Sequence, residues 1–76
     1  MATQAYILLN ADISRMEELK EALEKMEEVR EVGVVTGPFD LIVKVETRDN
    51  PALGDLVIKK IATLPGVDST LTCVAV

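Results

Sequence analysis

Apolar positions along this chain fall into two alternating rhythms. Ala5-Tyr6-Ile7-Leu8-Leu9 is a continuous apolar run followed by Asn10 and Asp12. That pattern predicts a strand covered on both faces, most simply a central one. The period then lengthens. Met16, Leu19, Leu23 and Met26, with Ala22 beside them, form one helical stripe opposite Glu17, Glu18, Lys20, Glu21, Glu24, Lys25, Glu27 and Glu28. Ser14 as N-cap, with Glu17 three residues on, predicts a capping-box start for this helix. Glu21 and Lys25 are spaced as an i,i+4 pair worth a few tenths of a kcal/mol. Strand-like runs return at 29–36 and 39–46, where Leu41, Val43 and Val45 alternate with Asp40, Ile42, Lys44 and Glu46. Gly33 inside the first of these predicts a bulge or a close backbone approach.

The break between those runs is Thr36-Gly37-Pro38-Phe39-Asp40, where Gly37 tolerates positive φ, Pro38 fixes φ and Asp40 can bond the local backbone. The chain reverses here. Asn50-Pro51 predicts the start of a second helix, with Asn50 as cap and Pro51 at the first helical position. Leu53, Leu56, Val57, Ile61 and Leu64 form its apolar stripe, Lys59 and Lys60 sit near its C-terminal end, and Leu64-Pro65-Gly66 stops it. Residues 67–76 complete the chain as a last strand, with Thr70 and Thr72 on one face and Leu71 and Cys73 on the other.

The predicted order, β-α-β-β-α-β, is the split βαβ, ferredoxin-like pattern: an α+β fold with a four-stranded antiparallel sheet and two helices on one face. Residues 1–76 make one domain on this reading. The other sheet face has no helix to cover it. Tyr6, Leu8, Val34 and Ile42 are its apolar candidates, and a partner subunit is the natural cover.

Composition sharpens that expectation. Hydrophobic residues make up 49% of the 76, almost all aliphatic, with one Tyr and one Phe. A chain this short buries only ~60% of the surface its unfolded form exposes. Excess apolar surface therefore points to self-association. Cys73 is the only cysteine and there is no histidine, which excludes an internal disulfide and a cysteine–histidine zinc site. The net charge is −5, with thirteen acidic against eight basic residues. That balance argues against a nucleic-acid reader and against adsorption to anionic lipid. No apolar run approaches the ~20 residues of a membrane span, and the N-terminus lacks a signal peptide's basic region. A free thiol in such a chain suits the cytoplasm.

Catalytic chemistry finds little support. No nucleophile-elbow serine, phosphate-cradling glycine loop or paired metal-ligating cysteine is present, and no cofactor is implied. Binding fares better. Residues 36–40 offer backbone N–H groups from Gly37, Phe39 and Asp40, and the Asp40 carboxylate. Amides facing an α-carboxylate and a carboxylate facing an α-ammonium are what a free amino acid requires. Thr70 and Thr72 add two hydroxyls pointing the same way. A turn that only closes a hairpin accounts for the same residues, and both readings stay open on physical grounds.

The segment Val35-Thr36-Gly37-Pro38-Phe39-Asp40-Leu41-Ile42, then Leu64-Pro65-Gly66-Val67 and Thr70-Leu71-Thr72, resembles the C-terminal RAM (regulation of amino acid metabolism) domain of the Lrp/AsnC feast/famine regulators. The resemblance runs from about Ala5 to Val76. It implies sheet-face dimers assembled into rings such as octamers or decamers, and amino-acid effectors held between subunits. Carried over, it nominates Thr36, Gly37, Phe39 and Asp40 on one subunit, with Thr70 and Thr72 from a neighbour, as ligand-binding residues; no metal or catalytic residue is nominated. The family's regulators also carry a helix-turn-helix that this sequence lacks. The expectation is a stand-alone sensing module that does not itself bind DNA and that regulates alone or with full-length Lrp/AsnC relatives. The alternatives are an assembly module without a ligand, and a small enzyme of the dimeric α+β barrel type.

Overall fold

A computed structural model describes residues 2–76. The elements are β1 (Thr3–Ala11), a 3-10 turn (Ile13–Arg15), α1 (Met16–Glu24), β2 (Val29–Val34), β3 (Leu41–Thr47), α2 (Asn50–Asp55), a π-helical continuation (Leu56–Ile61) and β4 (Val67–Val74). The sheet order is β2-β3-β1-β4 and every pairing is antiparallel. This is the ferredoxin-like α+β arrangement, with β1 central.

Alternation along the strands sorts the side chains. Ala5, Ile7, Leu9 and Ala11 of β1 and Leu41, Val43 and Val45 of β3 are buried. They pack with Leu19 and Leu23 of α1 and with Leu53, Leu56 and Ile61 of the second helix. Burying each of the Val, Leu and Ile side chains among them contributes ~1.5–3 kcal/mol. Both helices therefore cover one sheet face, and their expected apolar stripes meet the core.

Several boundaries differ from expectation, each for a local reason. Asp12, rather than Ser14, caps the first helical segment: its Oδ1 accepts from the Ser14 N–H at 3.0 Å and from Ser14 Oγ at 2.8 Å. With its hydroxyl spent, Ser14 makes no capping box, and a 3-10 turn precedes α1. Asp49, rather than Asn50, caps α2, accepting from the Ala52 N–H at 2.8 Å. Glu21 and Lys25 form no ion pair, although the Lys25 N–H still donates to Glu21 O at 3.2 Å; Arg15–Glu18 at 3.7 Å and Asp55–Lys59 at 3.6 Å do. The bulge in β2 falls between Val29 and Glu31 and not at Gly33. β2 and β4 both end at Val34 and Val74, two residues early, and β3 begins at Leu41.

Gly66 is held at φ +96°, and a Cβ there would stand 3.0 Å from Arg15 Cδ and 3.1 Å from Arg15 Cβ. Its carbonyl accepts the Asp12 N–H at 2.8 Å. The Leu-Pro-Gly stop thus doubles as the seat on which the β1–α1 connection rests.

The second sheet face has no helix over it. Register places Gly33, Ile42, Leu8 and Leu71 side by side across all four strands, and Glu31, Lys44, Tyr6 and Cys73 in the next row. Tyr6 is 43% and Leu71 49% exposed. Val34 does not belong to this face: it pairs with the buried Leu41, and residues directly opposite across a ladder share a side of the sheet.

Candidate functional site

The turn at residues 36–40 connects β2 to β3 and lies against the far end of β1. The Val35 N–H donates to the Asp40 carbonyl at 2.9 Å, closing the turn. Gly37 has φ +139°, a conformation that side chains with a Cβ avoid, which is why glycine stands there. The Asp40 N–H donates to Leu9 O at 2.8 Å. Its Oδ2 accepts the Ala11 N–H at 2.9 Å.

That last bond has a clear cause. Direct pairing of β1 with β3 ends at Leu9 and Leu41. Ala11, only 8% exposed, lies beyond it, and its N–H would be stranded without the carboxylate. Leaving such a donor unpaired costs ~1–3 kcal/mol. Asp40 is therefore partly committed to holding the turn onto β1. Of the three amides expected to face a ligand, Asp40's is used internally. Among the described residues, those of Gly37 and Phe39 have no hydrogen-bond partner. Oδ1 of Asp40 is likewise uncommitted. Thr36 and Gly37 are exposed, and Phe39 and Asp40 half-buried.

Thr70 and Thr72 share a face of β4, as expected. Their partners on β1 are Leu9 and Ile7, so both side chains stand on the helix side of the sheet. Thr70 and the Asp40 turn flank Leu9 from opposite sides, about two strand spacings or ~10 Å apart. One chain does not bring the two groups into a single pocket.

Thr72 instead borders an apolar groove of about 400 Å³ between β4 and the second helix, lined by Asn50, Leu53, Gly54, Val57, Ile58, Thr72 and Val74. Sequence reasoning missed this groove. Its signals were Gly54, which leaves a gap on the helix surface, and Ile58, an apolar residue off the core stripe and 70% exposed. A second concavity, about 410 Å³, lies toward the opposite, β2 edge of the sheet among Glu27, Glu28, Arg30, Glu46, Thr47, Arg48 and Ala52. Glu28 there is bonded by Lys60 at 3.0 Å, and this bond holds its carboxyl below the usual value. Asp12 is held low chiefly by the Ser14 hydroxyl. Among the described residues no three His, Cys, Asp or Glu side chains cluster as a metal site would require, and no helix is long and apolar enough to cross a membrane.

The ferredoxin-like sheet thus leaves one face without a helix over it, and the turn at 36–40 presents two amides without a partner next to the Asp40 carboxylate. The family described as the Lrp/AsnC ligand binding domain matches residues 4–76, and the chain belongs to that family. It is 33% identical over 70 residues to the HTH-type transcriptional regulator FL11 of Pyrococcus abyssi, covering 92% of this chain and 46% of that protein. The chain spans about half the length of the curated relatives it matches. Among solved structures it is similar to FFRP-DM1, at TM-score 0.93 and 38% identity, covering 97% of this chain and 99% of that one. It is also similar to a feast or famine regulatory protein from M. tuberculosis complexed with L-methionine, at TM-score 0.83 and 25% identity, covering 97% of this chain and 50% of that one.

Proposed function

We propose that this chain is a cytoplasmic, non-enzymatic amino-acid sensor and oligomerisation module. It regulates amino acid metabolism or transcription by its own ligand response or by associating with full-length Lrp/AsnC regulators. The observation that carries the reading is the pair of unpartnered amides at Gly37 and Phe39 beside the free Oδ1 of Asp40. Two amides suit an α-carboxylate, Oδ1 suits an α-ammonium, and Phe39 offers a ring to the side chain. Because Thr70 and Thr72 lie on the far side of Leu9 within one chain, they serve this site only as residues of a neighbouring subunit. The relative complexed with L-methionine supports the ligand class. The open sheet face supports dimers, which assemble further into rings such as octamers or decamers.

The test is a thermal-shift series with the twenty amino acids. A ligand at 100 times its Kd stabilises by ~2.7 kcal/mol. In a domain of this size that raises Tm by about 10 °C or more. One or a few amino acids giving such a shift, lost in Asp40→Asn, is the expected result; no shift with any of the twenty overturns the sensing reading. A second reading, assembly without a ligand, rests on the bonds from Asp40 to Leu9 and Ala11. It expects Asp40→Ala to weaken the assembly in native mass spectrometry while no amino acid shifts the wild type.

A further inference from the structure

The sheet has two free edges, and they are unlike. Along β2 the chain presents Arg30, Glu31 and Gly33, with a bulge between Val29 and Glu31. Charge and irregularity of that kind keep an incoming strand away. Along β4, by contrast, residues 69–76 read Ser-Thr-Leu-Thr-Cys-Val-Ala-Val, with no charge, proline or glycine. Their register with β1 is regular from Ser69 to Val74.

The direction of the main-chain groups follows from one bond. The Ala75 N–H donates to Gln4 O at 2.8 Å. In an antiparallel ladder, alternate residues turn both polar groups toward the same neighbour. Leu71, Cys73 and Ala75 therefore face β1, and Thr70, Thr72 and Val74 point their N–H and C=O groups outward along the bare edge. The side chains of the same three residues stand on the helix side, where Thr72 and Val74 line the apolar groove with Leu53, Gly54, Val57 and Ile58. Hydrogen-bonding edge and apolar slot thus lie together. The helix beside them is widened: the Ala62 N–H reaches Val57 O, five residues back, at 2.8 Å.

We propose that this edge receives β4 of a second copy of the chain, running antiparallel about a two-fold axis at Thr72. Thr72 of each copy then faces its counterpart, and Thr70 of each lies opposite Val74 of the other. Such pairing is self-complementary, and Thr–Thr and Thr–Val cross-strand pairs stabilise antiparallel ladders. A second copy is favoured on charge. The slot and edge want an uncharged extended segment, and 69–76 is one, whereas β2 carries charge and a bulge. This inference goes beyond the sensing reading: it gives Thr70 and Thr72 a partner strand where that reading gives them a ligand.

Amide exchange of the full chain, followed by NMR at high and low protein concentration, tests the outward groups. Thr70, Thr72 and Val74 should exchange about tenfold or more slowly when concentrated than when dilute. Native mass spectrometry of Val74→Lys and Val74→Pro supplies the second readout. The proline removes only an outward-facing N–H and spares the bonds to β1, and far-UV circular dichroism checks that the fold survives. Both variants should lose at least half the mass of the wild-type assembly. Wild-type mass in both variants with open-edge exchange at all three amides, or a monomeric wild type, overturns the proposal. Leu8→Glu, which alters the open sheet face alone, is read separately, so failure of face pairing and failure of edge pairing give different results.

Discussion

Asp40 serves two masters, a buried backbone and a solvent-facing oxygen, and two substitutions separate them. Asp40→Ala strands the Ala11 N–H, now bonded at 2.9 Å, and should cost ~1–3 kcal/mol in urea unfolding. Asp40→Asn keeps an acceptor for that N–H while removing the charge. It should lose less than half as much stability yet abolish any amino-acid-induced thermal shift. Equal destabilisation by both variants would show that the Ala11 bond is not what Asp40 supplies. Gly66 makes a parallel case: φ +96° and a Cβ position 3.0 Å from Arg15 Cδ should make Gly66→Ala destabilising by about 1–3 kcal/mol. At this scale the sequence was legible in type and ambiguous in place. Asp12 and Ser14, or Asp49 and Asn50, are pairs of competent caps one or two residues apart, and tertiary contacts chose between them. That Asp40 would spend its N–H and one oxygen on β1 was invisible, because Leu9 and Ala11 lie about thirty residues away.

Between elements, the α1–β2 connection is tied to the end of the second helix by Glu28 and Lys60 at 3.0 Å. Lys60's bond, the first cause, holds the Glu28 carboxyl below its ordinary value. A depressed folded pKa means the carboxylate stabilises the fold at pH values above the ordinary one, and that contribution is lost as pH falls below it, through the folded value. Both side chains are partly exposed, so solvent screening limits the pair to under about 1 kcal/mol. Lys60→Met should therefore unfold slightly earlier than wild type in urea at pH 7. The gap should shrink as pH falls below the ordinary glutamate range, and 1 M salt should narrow it at pH 7. A gap undiminished by acid and by salt would mean that packing of the Lys60 stem, not charge, ties the elements. Helix stripes and strand order were legible here because period and burial coincide: Leu19, Leu23, Leu53, Leu56 and Ile61 are all buried. The bulge was misplaced because glycine marks where a bulge is tolerated, whereas the β2–β3 register put it at residue 30, next to the Glu28 contact.

For the whole molecule, the open sheet face decides whether 76 residues suffice. The row Gly33, Ile42, Leu8, Leu71 crosses every strand. Polar pairs border it: Asn10–Ser69 at 3.1 Å on one side and Gln4–Glu46 at 3.2 Å beyond the Tyr6 row on the other. An apolar centre inside a polar rim is the anatomy of an interface. Leu8 has Ile42 and Leu71 as its two cross-strand neighbours, which makes it the centre of that row. A two-fold partner would set the same row against itself, so one Leu8→Glu change introduces two opposed carboxylates into a desolvated layer. Like charges so placed cannot both stay ionised without cost. Leu8→Glu should thus lower the mass seen in native spectrometry by at least half at neutral pH. Acidification toward the glutamate range should restore part of it, as the new carboxyls protonate. The half-buried Leu8 side chain makes the monomeric fold itself tolerant of the change, which circular dichroism would register as an unaltered spectrum. Wild-type mass in this variant would mean that the apolar row is covered by something other than its own copy.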